Sequence, residues 1–195
     1  MVKAVLFDAD GVLINSEMFS VALQRVHGIS IDKTRKFFSE KWPEIIIGSK
    51  DLKTELRPYL PQLGWDGTVD ELLDFWFKTE HNIDEDLVSF IQGLRRNGIK
   101  CYVATNQERY RANYMLKEMG FSESFDGVLA SAHLGSKKPD LEFFKLVLDK
   151  LELNIDEVMF WDDSQENVSA GNEFGLKSHL YQDYDKFKEV MKAEL

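Results

Sequence analysis

The chain has 195 residues, of which 34 are acidic and 24 are basic, so its formal net charge is −10. This balance argues against binding to nucleic-acid backbones and to anionic membranes, because both attract positively charged protein surfaces. With 44% hydrophobic residues, the length suits one α/β domain, alone or with a modest insertion.

Cysteine and histidine usage narrows the class of protein further. Cys101 is the single cysteine, so an internal disulfide is excluded, and the four histidines are scattered without the spacing of a zinc site. No apolar stretch reaches the roughly 20 residues that a membrane span needs, and the run over residues 2–7 is too short for an export signal. We therefore expect a cytoplasmic protein.

Short apolar runs alternate with amphipathic helical patterns through most of the chain. Such alternation predicts an α/β fold of the Rossmann-like type, a parallel sheet with helices on both faces. The predicted strands cover residues 2–7, 99–104, 127–130, 158–161 and 178–181. The predicted helices between and after them cover residues 85–97, 107–119, 140–151, 164–174 and 183–193.

Residues 14–84 break this alternation. They contain amphipathic helical patterns near 15–27, 31–41, 50–57 and 68–80, punctuated by glycine and proline, including Pro43. We predict that this segment is a small all-helical cap inserted after the first strand. Residues 1–13 and 85–195 would then form the α/β core.

Polar residues follow several predicted strands at the point where each strand ends. Asp8 and Asp10 follow the first, Thr105 and Asn106 the second, and Asp162 and Asp163 the fourth. Ligands of parallel α/β sheets bind beyond the carboxyl ends of the strands. Asp8 and Asp10 are two apart, so in an extended chain they point the same way and repel each other unless a cation or a proton compensates. Mg²⁺ suits such oxygen ligands.

Four motifs at these positions resemble those of the haloacid dehalogenase superfamily, in the same order along the chain. They are Asp8-Ala9-Asp10-Gly11-Val12, Thr105-Asn106, Lys138-Pro139 and Asp162-Asp163-Ser164-Gln165-Glu166-Asn167. The dehalogenases of that superfamily typically carry an aromatic residue in place of the second aspartate. This chain keeps Asp10, so it is similar to the phosphatase branch with a helical cap.

The resemblance implies a role for each motif. Asp8 would be the nucleophile that forms an aspartyl-phosphate, and Asp10 the general acid and base. Thr105, Asn106 and Lys138 would bind the phosphoryl group.

The resemblance also implies a metal site. Mg²⁺ would be held by Asp8, the backbone carbonyl of Asp10, and Asp163. Asp162 stands where many relatives have glycine and Asn167 where many have a second acid, so we expect these two to support the metal ligands from behind.

The implied function is Mg²⁺-dependent hydrolysis of a small phosphomonoester, such as a sugar phosphate. The partner would be a small phosphorylated metabolite, while the oligomeric state is left open. Two alternatives stay open beside it. A sugar phosphomutase uses the same core with a helical lid, and a non-hydrolytic phospho-acceptor or binding module could also place aspartates, a threonine and a lysine at one sheet edge.

Overall fold

Five parallel strands form the centre of the molecule in the computed structural model, which describes residues 1–194. The strand order across the sheet is β3-β2-β1-β4-β5. The strands are β1 (Ala4–Phe7), β2 (Lys100–Thr105), β3 (Gly127–Ala130), β4 (Val158–Asp162) and β5 (Lys177–Leu180). The predicted fold class is thereby confirmed.

Strand β1 lies in the middle of the sheet, paired with β2 on one side and β4 on the other. All four of its residues are fully buried. Val5 and Phe7 belong to the core on one face of the sheet, whereas Ala4 and Leu6 belong to the core on the opposite face. A strand covered on both faces needs such a continuous apolar run, so the apolar character of residues 4–7 fixes β1 at the centre.

Between β1 and the next strand the chain forms the helical cap. Its helices are α1 (Phe19–His27), α2 (Ile31–Ile46), α3 (Leu52–Leu56), α4 (Leu60–Leu63) and α5 (Val69–Thr79), with a 3₁₀ turn at Arg57–Tyr59. The cap has an apolar core of its own, built around residues such as Phe37, Leu52 and Leu72. The outer boundaries of the cap, at residues 14 and 84, stay a prediction.

The prediction that Pro43 interrupts a helix is wrong. Helix α2 continues through Pro43 to Ile46. A proline inside a helix removes one backbone hydrogen bond. Here the helix continues because its last turn buries Ile45 and Ile46, and this burial offsets the lost bond.

The remaining helices cover the two faces of the sheet. They are α6 (Glu85–Arg96), α7 (Arg109–Lys117), α8 (Phe121–Ser124), α9 (Ser131–Leu134), α10 (Leu141–Leu151), α11 (Gln165–Phe174) and α12 (Tyr184–Glu194), with a 3₁₀ turn at Ile155–Glu157. No helix among the described residues combines the length and the apolar character needed to cross a membrane.

The chain passes from β1 to β2 and β3 on one side of the sheet, and then crosses to β4 on the other side of β1. The loops after β1 and β4 therefore lead away in opposite directions. In open α/β sheets a crevice forms at the carboxyl end of such a switch point, and ligands bind there. Asp8 follows β1 and Asp162 ends β4, so both lie at this point.

The cap contacts the core closely at Gly48. Its backbone has a φ of +74°, and a side chain at this position would overlap the carbonyl oxygen of Ala132. Two hydrogen bonds flank the contact, from the Ser131 hydroxyl to the Ile46 carbonyl at 2.6 Å and from Arg109 to the Gly48 carbonyl at 2.7 Å. The absence of a side chain at Gly48 is what allows the two backbones to meet.

Substitution of Gly48 by alanine is expected to destabilise the protein more than the same change at Gly28. Gly28 also has a positive φ, but open space surrounds it, so Gly28→Ala should cost only the backbone strain of about 1–2 kcal/mol. Gly48→Ala adds a steric conflict worth roughly 1–3 kcal/mol. Urea denaturation of both variants measures the difference, and equal losses would show that the cap does not pack as closely as described.

Candidate active site

Lys138 lies buried between two carboxylates at the switch point. Its Nζ is 2.9 Å from Asp8 Oδ1 and 2.6 Å from Asp162 Oδ2, and its side chain is 1% exposed. Burial alone would lower the pKa of Lys138, but the charges of Asp8 and Asp162 outweigh it and raise the pKa. The site therefore contains a fixed positive charge directly beside Asp8.

The side chain of Asn106 holds the backbone of Lys138 in place. Asn106 Oδ1 accepts a hydrogen bond from the Lys138 amide, and Asn106 Nδ2 donates one to the Lys138 carbonyl, both at 2.8 Å. Because both ends of the amide are used, we assign its side chain to positioning Lys138. Thr105, the last residue of β2, is buried beside it. The second and third sequence motifs are thus joined directly.

Asp162 is fully buried, and both of its carboxylate oxygens have protein partners. Oδ2 accepts the bond from Lys138, while Oδ1 accepts bonds from the Ser164 amide at 2.8 Å and from Asn167 Nδ2 at 3.0 Å. Asp162 therefore contacts Asp8 through Lys138, and Asn167 contacts Asp162; the role of these two residues in supporting the metal ligands stays a prediction.

Asp163 is exposed and lies against Gly11 on the opposite loop. A side chain at Gly11 would occupy the space of the Asp163 carboxylate, and the φ of +83° at Gly11 also favours glycine. Carboxylate oxygens of Asp8, Asp162 and Asp163 lie within 4.8 Å of one another. Since Asp162 is already engaged, Asp8 and Asp163 are the side chains best placed to share a cation.

The electrostatics and the donor chemistry fit Mg²⁺. Burial raises the pKa of Asp8 to about 7, with the charge of Asp162 adding to the effect and Lys138 opposing it. Burial and the charge of Asp162 also raise the pKa of Asp163. Clustered, partly desolvated carboxylates of this kind are stabilised in their ionised form by a hard divalent cation with oxygen preference.

Asp10 is held by two side chains that lie outside the four sequence motifs. Arg111 Nη2 donates to Asp10 Oδ1 at 2.8 Å, and Gln107 Nε2 donates to Asp10 Oδ2 at 2.5 Å. Arg111 is buried, and its second terminal nitrogen, Nη1, contacts Glu80, just beyond the end of α5. Arg111 therefore connects Asp10 in the core with the cap.

The sequence does contain a signal for Arg111. Residues 108, 111, 112, 115 and 119 follow the spacing of one buried helix face, and all of them are buried. An arginine on such a face needs an acidic partner. Glu108 precedes the helix and accepts bonds from the amides of Tyr110 and Arg111, which fixes where the helix begins.

A family model of haloacid dehalogenase-like hydrolases matches residues 2–175. The chain belongs to this family. The hydrolase is 36% identical over 180 residues to sesquiterpene phosphatase astK of Aspergillus oryzae. The aligned region covers 89% of this chain and 87% of that protein. It is 29% identical over 107 residues to drimenol cyclase drtB of Aspergillus calidoustus, of which it spans only 20%.

Solved structures share the fold of this hydrolase over almost its entire length. A HAD-like family hydrolase from Porphyromonas gingivalis has a TM-score of 0.82 and 18% identity, covering 100% of this chain and 98% of its own. The HAD family enzyme bt-2542 of Bacteroides thetaiotaomicron, in complex with magnesium and inorganic phosphate, has a TM-score of 0.81 and 18% identity. The match covers 96% of this chain and 99% of the bt-2542 chain.

In the metal-free protein, Asp8→Asn is expected to increase the free energy of unfolding at neutral pH. The folded protein raises the pKa of Asp8 to about 7, so the unfolded chain ionises at a lower pH than the folded one. The folded wild type therefore loses stability as the pH rises from the ordinary pKa of aspartate towards 7. The variant does not ionise there, and its advantage should grow over that range to on the order of 1–3 kcal/mol.

Urea denaturation in the presence of a chelator, at several pH values between 4 and 8, measures this effect. Added Mg²⁺ should stabilise the wild type and reduce the advantage of the Asp8→Asn variant. An advantage that is independent of pH would contradict the assignment of the effect to Asp8 ionisation.

Arg111→Met is expected to lower both the stability and the turnover of the hydrolase. Glu80 would lose its buried cation, at a cost of roughly 3–5 kcal/mol, and Asp10 would no longer be held at the site. Adding Glu80→Gln should recover part of the stability, because the uncompensated charge is removed, but it should not recover kcat. If kcat and stability recover together, Arg111 does not position Asp10.

Proposed function

We propose that this hydrolase is a Mg²⁺-dependent phosphatase that removes phosphate from a small phosphomonoester through an aspartyl-phosphate on Asp8. The observation that carries the proposal is the buried Lys138 between Asp8 and Asp162, beside the exposed carboxylate of Asp163. A carboxylate that is fixed next to a cation is suited to attack a phosphoryl group, because the cation offsets the repulsion between the two negative charges.

In the first step, an oxygen of Asp8 attacks phosphorus and the bond from phosphorus to the leaving oxygen breaks. The carboxyl group of Asp10 donates its proton to that oxygen, and the alcohol departs. The bonds from Arg111 and Gln107 keep Asp10 in position for this transfer. The phosphoryl group is then held on Asp8 as an acyl phosphate.

In the second step, the carboxylate of Asp10 takes a proton from a water molecule, and the resulting hydroxide attacks phosphorus. The bond between phosphorus and Asp8 breaks, inorganic phosphate leaves, and Asp8 is restored as a carboxylate. The same group thus acts first as an acid and then as a base, so the proton balance closes over one turnover.

The phosphoryl oxygens would be bound by Lys138, the Thr105 hydroxyl and the Asn106 backbone amide. Asp8, the Asp10 carbonyl and Asp163 would hold Mg²⁺, which when bound supplies positive charge to the phosphoryl oxygens. The bt-2542 structure with magnesium and inorganic phosphate supports this choice of metal and ligand.

The names of the relatives support a phosphatase but differ in the substrate. They include a sesquiterpene phosphatase, a glyceraldehyde 3-phosphate phosphatase of Methanocaldococcus jannaschii and a phosphorylated carbohydrates phosphatase of Thermotoga maritima. They agree on a small phosphorylated metabolite as the partner and differ in the alcohol that leaves.

Purified protein is expected to release inorganic phosphate from p-nitrophenyl phosphate when Mg²⁺ is present and not when it is chelated. Asp8→Asn should abolish this release, because the nucleophile is lost. Asp10→Asn should still gain thermal stability from Mg²⁺, since its backbone carbonyl is unchanged, yet lose most of its turnover. Phosphate release and thermal unfolding measure the two effects.

Rapid quenching separates the proposed reaction from its alternatives. A phosphatase forms an alkali-labile phosphoprotein that turns over to inorganic phosphate, and Asp10→Asn should prolong its lifetime. Transfer of the phosphoryl group to another hydroxyl of the substrate, with little free phosphate, would instead indicate a phosphomutase. A phosphoprotein in the wild type that persists for minutes without turnover would indicate a phospho-acceptor module.

A further inference from the structure

A cavity of about 490 Å³ lies between the cap and the carboxyl edge of the sheet. Asp10, Asn106 and Gln107 line it from the core side. The walls from the cap are mainly large apolar side chains: Met18, Phe19, Ile31, Phe38, Trp42 and Trp76. A cavity of this size can enclose most of a small organic molecule.

The aromatic walls are packed against one another. The ring centroids of Phe38 and Trp42 are 5.1 Å apart, those of Phe38 and Trp76 are 5.5 Å apart, and Phe19 stacks on Trp76 at 4.6 Å. Contacts of this kind fix the orientation of each ring. The cavity is therefore largely preformed, and a ligand does not need to order its walls.

The polar side chains nearest the catalytic end are already engaged within the protein. Glu80 accepts bonds from the Phe19 amide at 2.9 Å and from the Trp76 indole at 2.8 Å, in addition to its contact with Arg111. The Thr34 hydroxyl donates to the Ile31 carbonyl at 2.7 Å.

The amide group of Asn106 is also engaged, because its oxygen and its nitrogen both bind the backbone of Lys138.

Few polar groups are left for a hydroxylated ligand. Ser20 and Arg35 lie on the cap side, and Arg35 is 73% exposed and paired with Asp32. The amide nitrogen of Gln107 is bound to Asp10. A sugar would bring several hydroxyls into this space, and each buried hydroxyl without a partner weakens binding.

A second cavity, of about 360 Å³, meets the first at Asp10. Its lining includes Asp10, Gly11 and Asp163, so it reaches two of the three residues proposed to hold the metal. Asp10, Met18 and Glu80 line both cavities. The proposed general acid thus lines both the cavity beside Asp163 and the cavity with the aromatic walls. The leaving oxygen must contact Asp10, and the larger of the two cavities that Asp10 lines is the one with the aromatic walls, so the group attached to that oxygen would extend into it.

We infer that the substrate is the phosphate monoester of an apolar alcohol, a medium-length alkyl or prenyl chain, and not a sugar phosphate. This inference rests on the proposed phosphatase function. Phe38 and Trp42 would be specificity-determining residues, since they contact the hydrocarbon and do not touch the phosphoryl group.

The experiment is a chain-length series of n-alkyl monophosphates, from ethyl to octyl phosphate, with glucose 6-phosphate beside it. The value of kcat/KM should rise roughly 2- to 4-fold for each added methylene until the cavity is filled. Glucose 6-phosphate should be a poorer substrate than hexyl phosphate. A flat series, or a preference for glucose 6-phosphate, would overturn the inference while leaving the phosphatase function intact.

Phe38→Ala tests whether the dependence on chain length arises in the apolar cavity. Phe90→Ala is the matched control. Phe90 is also a half-buried phenylalanine, but it packs against Tyr184 and Phe187 in the core, away from the cap. Phe38→Ala should reduce the ratio of hexyl to ethyl phosphate activity by roughly 5- to 10-fold, and Phe90→Ala should leave it unchanged.

The two failures give different results. If the wild type releases no phosphate from any monoester, the phosphatase proposal fails and the apolar substrate fails with it. If phosphate is released and the hexyl-to-ethyl ratio is the same in Phe38→Ala as in the wild type, only the binding of the hydrocarbon in the apolar cavity is refuted. Thermal unfolding of both alanine variants confirms that the compared proteins are folded.

Discussion

The buried ion triplet of Asp8, Lys138 and Asp162 is the interaction on which the rest of the site depends. Two carboxylates in a desolvated space are unfavourable, and one ammonium group between them compensates for only one of the charges. The remaining negative charge makes a further cation favourable beside Asp163. The protein therefore holds a destabilised arrangement at the edge of an otherwise apolar sheet, which is typical of a catalytic site.

The triplet is assembled from residues at or beyond the carboxyl ends of different strands, and the sheet brings these ends together. Asp8 follows β1, Asp162 ends β4, and Asn106 follows β2 and fixes the lysine that comes after β3. Because these strands are parallel neighbours, their carboxyl ends lie at one edge. The cap is joined to the same edge through Glu80 and Arg111, so the position of Asp10 depends on both layers.

Much of this arrangement could be predicted from the sequence, and the limits are physical. Strand β3 was predicted at its observed residues, and the four motifs place Asp8 and Lys138 together. The strand order could not be derived, because apolar runs do not specify their neighbours. The helix continues through Pro43 because the tertiary burial of Ile45 outweighs the local tendency of proline to end a helix. Arg111 belongs to none of the four motifs, although its spacing on a buried helix face is visible in the sequence.

The position of Asp10 between the two cavities has a consequence for the order of events. In an in-line displacement on Asp8, the departing alcohol and the later incoming water occupy the same apical position on phosphorus. Under the proposed mechanism, water would thus reach the acyl phosphate only after the alcohol has left the cavity. The bound alcohol would shield the intermediate from hydrolysis, so its release would have to precede the second step of every turnover.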